Sequence, residues 1–368
     1  MTQSLDWLAL SGSGLPERLA TILTTEQRER WSIDRSFYSP EIVLLTGSDG
    51  DGDGDRVEAA ALLSSRPHTA AVKIVDVVTA SGLSGPAARS ATLRLVGAVQ
   101  AAARDRGLAS VRWEAHPGAA DPGSFGFQPL PAPRRSGPGT AGPAGFVWWA
   151  QDWPHREVDY YRQTTNYTCG AVAALLAQPF DVFAGTEPDI RRAELAFWRQ
   201  ATNFPACEPV GLAVAIHGRL TEHDGAGAAA GLEVYLDAPG PVLLEWEPEG
   251  HGRALRAELQ QISRDDAESR GLPIRPARLG IDELADAVGR GRLALLLVDE
   301  TLMHGDLEPH WVLAHAARGE VFLIQDPWVD AEHGESWVDA HDLPVRAADL
   351  DRMMNWGDPG YRGVILYP

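Results

Sequence analysis

The sequence has almost no lysine. Lys73 stands alone beside arginine among the 32 basic residues, which excludes chemistry built on a lysine Schiff base or a phosphate-cradling P-loop lysine. Basic charge is short as a whole: 51 Asp and Glu leave a formal net charge of -19. Such a surface repels phosphate backbones and anionic lipids, so neither nucleic acid nor membrane is expected as a partner. Two cysteines, Cys169 and Cys207, are too few for a disulfide scaffold or a structural zinc site, and no metal or cofactor is expected. A reduced thiol is left for catalysis. No stretch approaches about 18 uninterrupted apolar residues, and the start, MTQSLDWLALSGSG, lacks the basic region and apolar run of a signal peptide. A cytoplasmic protein is expected.

What is present points to folded domains. The chain has 368 residues, 44% of them hydrophobic, with 12 tryptophans, more than one typical core needs. Residues 117–145 are dense in Pro and Gly, which break helix and strand alike. They divide the chain into a first domain at 1–130, a linker at 131–145 and a second domain at 146–368. In the first, EIVLLTG and TAAVKIVDVVTA read as strands from their β-branched content, ATLRLVGAVQAAARDRG as an amphipathic helix ending at Gly107, and SVRWEA as a further strand. This alternation suggests a small α/β module.

The order strand, loop, helix, strand, then Gly126-Phe127, resembles the GNAT acetyltransferase fold. That family presents loop amides to the coenzyme A pyrophosphate. Here SGLSGPAARSA offers Gly82 and Gly85, but Pro86 removes one donor and the spacing departs from the family's pattern, so a degenerate module without coenzyme A is expected. The acidic run DGDGDGDR at 49–56 fails as an EF-hand loop, because Ala60 falls where the bidentate glutamate belongs. It reads as a hairpin tip.

The chemistry lies downstream. In DYYRQTTNYTCGAVAALLAQ a polar loop gives way at Cys169 to helix formers, which puts the thiol at a helix N-terminus, where free N–H groups favour the thiolate. Taken alone, Cys169 could equally be an inert buried thiol. Gln163, six residues earlier, can place an amide donor beside the sulfur for an oxyanion. Further on, PHWVLAHAARGEVFLIQDPW reads as a hairpin turning at Ala317-Arg318-Gly319. Pairing Ala316 with Glu320 sets His310 opposite Asp326, an imidazole beside a carboxylate. Alternation points His315 to the other face, and His304 lies in a loop before the strand. Cys207 competes as nucleophile, but it sits between Pro205 and Pro209 with no helix beginning on it. Trp148, Trp149, Trp246 and Trp328 read as core or pocket wall.

QTTNYTCG, with HWVLAHAARGEVFLIQDPW about 140 residues later, resembles the papain-like cysteine peptidases that remove double-glycine leaders from bacteriocin precursors. Residues 158–368, with RAELAFWRQATNFPACEPVGLAVAIHGR and DLPVRAADLDRMMNWG, resemble a bacterial subgroup fused behind a GNAT-like domain. The likeness implies an α+β papain-like domain with Cys169 as nucleophile, His310 as base, Asp326 orienting it and Gln163 in the oxyanion hole. The small residues of CGAVAALLA depart from the family's proline and bulkier residues after Cys-Gly.

Three functions are compatible with this set. The first is hydrolysis of a peptide, isopeptide or amide bond in a peptide or acyl-amide substrate. The second is acyl or aminoacyl transfer from a carrier-protein thioester to an amine. The third is a noncatalytic peptide-binding module.

Overall fold

A computed structural model describes residues 2–11, 14–48, 56–135, 142–153, 157–178, 183, 185–201, 206–225, 227–245 and 247–368. Residues 49–55 of the acidic run and Trp246 lie outside them. Two compact units emerge. One gathers Met1–Ala132, Gly142–Trp153 and Val329–Asp339; the other gathers Pro133–Ala141, Pro154–Trp328 and Ala340–Pro368.

The first unit is one seven-stranded sheet. Its strands are β1 (Thr2–Ala9), β2 (Glu41–Ser48), β3 (Arg56–Ser64), β4 (Ala71–Thr79), β5 (Ser110–Ala115), β6 (Gln128–Pro129) and β7 (Ala144–Trp149), in the spatial order β1-β2-β3-β4-β5-β7-β6. Only β4 and β5 pair in parallel, joined by the long helix α2 (Pro86–Asp105); the earlier α1 (Thr25–Trp31) precedes β2. The strands and helix read from the sequence form in that order, but the remaining pairs are antiparallel. Period-two alternation buries both faces. Val43, Leu45, Val72, Ile74 and Trp113 pack toward α2, while Ile42, Leu44, Val75 and Val78 pack against Leu23 and Trp31. Strands covered on both sides need continuous apolar runs, which is why β2 and β4 are conspicuous in the sequence.

The boundary differs from the one expected at 131–145. β7 pairs with β5 along its whole length, because its apolar residues complete the sheet, so the first unit runs on to Trp153. It also includes a strap, Val329–Asp339, that the sequence reading placed in the second domain. The strap is held by buried charge. Arg66 grips Glu335 with Nε to Oε1 at 2.7 Å and Nη2 to Oε2 at 2.8 Å, and Tyr38 donates to Asp330 at 2.8 Å. Lys73, on the sheet face opposite α2, is fully buried between Glu114 and Asp339. Its single occurrence in the chain is structural.

The second unit has a seven-stranded sheet of β8 (Glu233–Leu236), β9 (Ile274–Arg275), β10 (Ala294–Asp299), β11 (Pro309–Arg318), β12 (Val321–Gln325), β13 (Leu343–Arg346) and β14 (Gly363–Leu366), ordered β13-β12-β11-β10-β14-β8-β9. Its helices are α3 (Cys169–Leu176), α4 (Glu187–Ala201), α5 (Pro209–Asp224), α6 (His251–Ser269), α7 (Ile281–Gly289), α8 (Thr301–His304) and α10 (Ala347–Met353), while α9 (Trp337–Ala340) lies in the strap of the first unit but for its last residue. All eight residues of α3 are buried. A helix enclosed on every side must carry small side chains for its neighbours to approach, which accounts for CGAVAALL. Trp311, Leu313, Leu295 and Leu297 of the sheet share its core. Among the described residues no helix is long and apolar enough to cross a membrane.

Candidate active site

Cys169 opens α3 with Thr168 as N-cap, at the helix N-terminus read from the sequence, and is 5% exposed. The loop before it is pinned by Glu194, a fully buried carboxylate on α4. Its Oε1 accepts from Thr164 N at 2.8 Å and Thr168 Oγ1 at 2.6 Å, and its Oε2 from Tyr161 Oη and Thr164 Oγ1, both at 2.8 Å. Four donors from one loop on one carboxylate set the approach to Cys169. Gln163 is buried at the start of this loop. Its Nε2 donates one hydrogen to Thr165 O at 2.8 Å, and its backbone N–H donates to Pro327 O at 3.0 Å. The second Nε2 hydrogen is not spent on that bond.

The hairpin departs from its expected register. Arg318 pairs with Val321, so Gly319 and Glu320 form a two-residue turn, and a bulge at His315 shifts the pairing between Ala314 and Ala316. Leu313 then faces Gln325, and β12 ends before Asp326. His310 and Asp326 are therefore not directly opposed. They meet all the same, because diagonal neighbours on one sheet face remain within side-chain reach. His310 Nε2 lies 2.7 Å from Asp326 Oδ1. Asp326 is held from three further directions: its Oδ1 accepts from Trp328 N at 2.9 Å, its own N–H donates to Ala340 O at 3.1 Å, and its carbonyl accepts from Tyr160 Oη at 2.9 Å.

The His310 ring also hydrogen-bonds the Cys169 side chain. With Nε2 committed to Asp326, the sulfur takes the Nδ1 side. Burial alone would push this imidazole down, but Glu300 and Asp326, with the hydrogen bonds to Asp326 and Cys169, outweigh it and hold the ring well above the ordinary histidine range. Cys169, His310 and Asp326 are thus drawn together within the second unit, and Gln163 joins the loop before Cys169 to Pro327, the residue after Asp326.

The other candidates separate. Cys207 is 1% exposed in the apolar core, and its carbonyl accepts from Trp311 Nε1 at 2.9 Å. His315 Nε2 lies 3.1 Å from Asp342. His304, read as a loop residue, ends α8 with Nε2 3.5 Å from Asp326 Oδ2, nearer the cluster than its sequence position suggested.

Two carboxylates were not read from the sequence. Glu194 had a usable signal, since it shares a helical stripe with Ile190, Phe197 and Ala201, and a glutamate in an apolar stripe is a buried acid with partners to find. Glu300 had none: it follows an apolar strand like any turn residue and reaches the site only through the geometry of α8.

The first unit contains a cleft of about 750 Å³ lined by Arg30, Asp76, Ser81, Gly85, Arg89 and His116. Coenzyme A, which the GNAT resemblance implies, does not fit its helix end. Gly85 caps α2, Pro86 has no N–H, Ala87 N donates to Ser84 O and Arg89 N to Gly85 O. The row of free amides that a pyrophosphate needs is not offered.

Solved structures similar to part of the chain include the ribosomal-protein-S18-alanine N-acetyltransferase from Escherichia coli (14% identity, TM-score 0.28, 40% of this chain and 91% of that one). A GNAT-family acetyltransferase from Staphylococcus aureus matches at 12% identity and TM-score 0.27, over 40% of this chain and all of that one (100%). The PaiA N-acetyltransferase from Thermoplasma acidophilum, solved with coenzyme A, matches at 12% identity and TM-score 0.25, covering 40% and 99%. No curated protein matches. The family model described as "Peptidase_C39 like family" matches residues 158–367, which contain the whole Cys169–His310 cluster. With more than half of its length inside that match, the chain belongs to the Peptidase_C39 like family.

Proposed function

We propose that the second unit is a papain-like thiol hydrolase that cleaves a peptide, isopeptide or amide bond through an acyl-thioester on Cys169. The observation that carries this reading is the His310 ring, tied to Asp326 at 2.7 Å through one nitrogen and to the Cys169 side chain through the other. Transfer of the thiol proton to Nδ1 yields a thiolate beside an imidazolium, with the N-terminus of α3 favouring the anion. The thiolate adds to the carbonyl carbon, and the oxygen takes its charge toward the Cys169 backbone N–H and the second Nε2 hydrogen of Gln163. As the tetrahedral adduct collapses, His310 returns the proton to the leaving amine and the acyl group stays on sulfur. Water, giving its proton to the now neutral His310, releases the acid and restores the thiol.

The test is turnover of a fluorogenic peptide library by wild type and Cys169→Ala, with melting temperatures measured in parallel. Wild type is expected to hydrolyse members of the library, and Cys169→Ala to lose that activity at an unchanged melting temperature. Turnover retained in Cys169→Ala would sink the assignment.

A further inference from the structure

Glu300, between β10 and α8, is 7% exposed, and its Oε1 makes no hydrogen bond. A buried carboxylate oxygen in that state is costly unless a charge compensates it. The compensation is on the histidines: Oε1 lies 3.6 Å from His310 Nδ1 and 3.9 Å from His304 Nε2. These separations are ionic rather than hydrogen-bonding. Each packed element contributes a titratable group to this cluster. His304 comes from α8, which Glu300 precedes, Glu308 from the following loop, His310 from β11, Asp326 from just after β12 and Cys169 from α3.

We propose that Glu300 is a positioning residue for His310, its buried carboxylate steadying the imidazolium from the Nδ1 side while Asp326 holds Nε2, so that the ring keeps the proton it takes from Cys169. The inference rests on the Cys169–His310 reading above. Only one proton moves: the S–H bond breaks, the Nδ1–H bond forms, and both carboxylates stay ionised. The charge acts on both partners. It delays loss of the His310 proton at high pH, and it repels the thiolate. Burial, with the charges of Asp326 and Glu308, holds the Glu300 carboxyl above the ordinary carboxylate range despite the pull of His310 and His304, so the effect fades as the pH falls toward that raised value and Glu300 takes up a proton.

The experiment follows the rate of Cys169 alkylation by iodoacetamide, a neutral probe that needs no substrate, over a pH series and read on the Cys169 peptide. Wild type is compared with Glu300→Gln. Removing the negative charge beside His310 should move the acid limb down by about one to three pH units. Below the wild-type limb the variant is then expected to label at least about tenfold faster. A role in packing alone would slow labelling at every pH, and that outcome, or superimposable profiles, overturns the proposal. Glu300→Ala removes the same charge without an amide and must shift the limb in the same direction if Glu300→Gln does not fold. His310→Asn separates the two levels of inference. Wild-type labelling that follows an ordinary thiol near about pH 8.5, unchanged in His310→Asn, overturns the ion-pair reading itself. An acid-shifted wild-type limb that His310→Asn abolishes and Glu300→Gln leaves in place overturns only the role of Glu300.

Discussion

Glu194 is where the loop before the thiol is built, and its replacement separates the shape of that loop from its composition. Glu194→Gln keeps the volume but turns an –NH₂ toward hydroxyl and amide donors that now point at an oxygen. Leaving such donors unsatisfied costs about 1–3 kcal/mol, a fall in melting temperature of roughly 2–12 °C for a unit of this size. Calorimetry checks the loss, and slower Cys169 labelling at neutral pH checks that the loop has shifted. At this scale the sequence was informative where residue type and spacing bring two side chains together: a histidine near an aspartate in one hairpin. It was silent on Glu300, because a carboxylate at the end of a strand looks the same whether it meets solvent or two histidines.

α3 joins the thiol to the sheet, and Gly170 sets how closely. A Cβ there would lie 3.0 Å from Trp311 Cδ1, 3.1 Å from Cys207 Cβ and 3.3 Å from Leu212 Cδ2. Gly170→Ala gains roughly 1 kcal/mol of helix propensity and loses about 1–3 kcal/mol to overpacking, so it is neutral to destabilising by about 2 kcal/mol. Gly170→Val adds two further methyls and β-branching, and is expected to destabilise by more than about 2 kcal/mol, read as a lower urea midpoint at unchanged slope. The periodic elements were legible for the same reason that they are stable: α2 and the strands β2 and β4 bury regular patterns. The hairpin register was not, since the bulge at His315 leaves no mark in alternating apolar residues. Two errors partly cancelled, a shorter turn and an unforeseen bulge, and a diagonal contact delivered the His310–Asp326 pair that direct opposition had been expected to supply.

On the scale of the molecule, contiguous stretches of sequence do not map onto units. The strap Val329–Asp339 belongs with strands near the start of the chain, and only spatial proximity, which Pro and Gly content does not encode, reveals it. A fragment beginning at Pro154 therefore carries Asp330, Glu335 and Asp339 without Tyr38, Arg66 and Lys73. Limited digestion with a glutamate-specific protease is expected to cut that fragment at Glu332 or Glu335 while sparing the same bonds in the full chain. Equal resistance in both would mean that the strap is ordered without those partners. Breaking a buried ion pair by removing one partner costs about 3–5 kcal/mol, so a fragment ending at Trp153 should also be unstable.

The strap also bears on how the protein is made. A ribosome delivers the strands of the first sheet early, yet Lys73 and Arg66 wait for Asp339 and Glu335 until nearly the whole chain has been synthesised. At about 5–20 residues per second that interval is roughly 13–54 s. During it two basic side chains destined for the interior have no acidic partner from the strap, so the first unit cannot finish folding in the order in which it is translated.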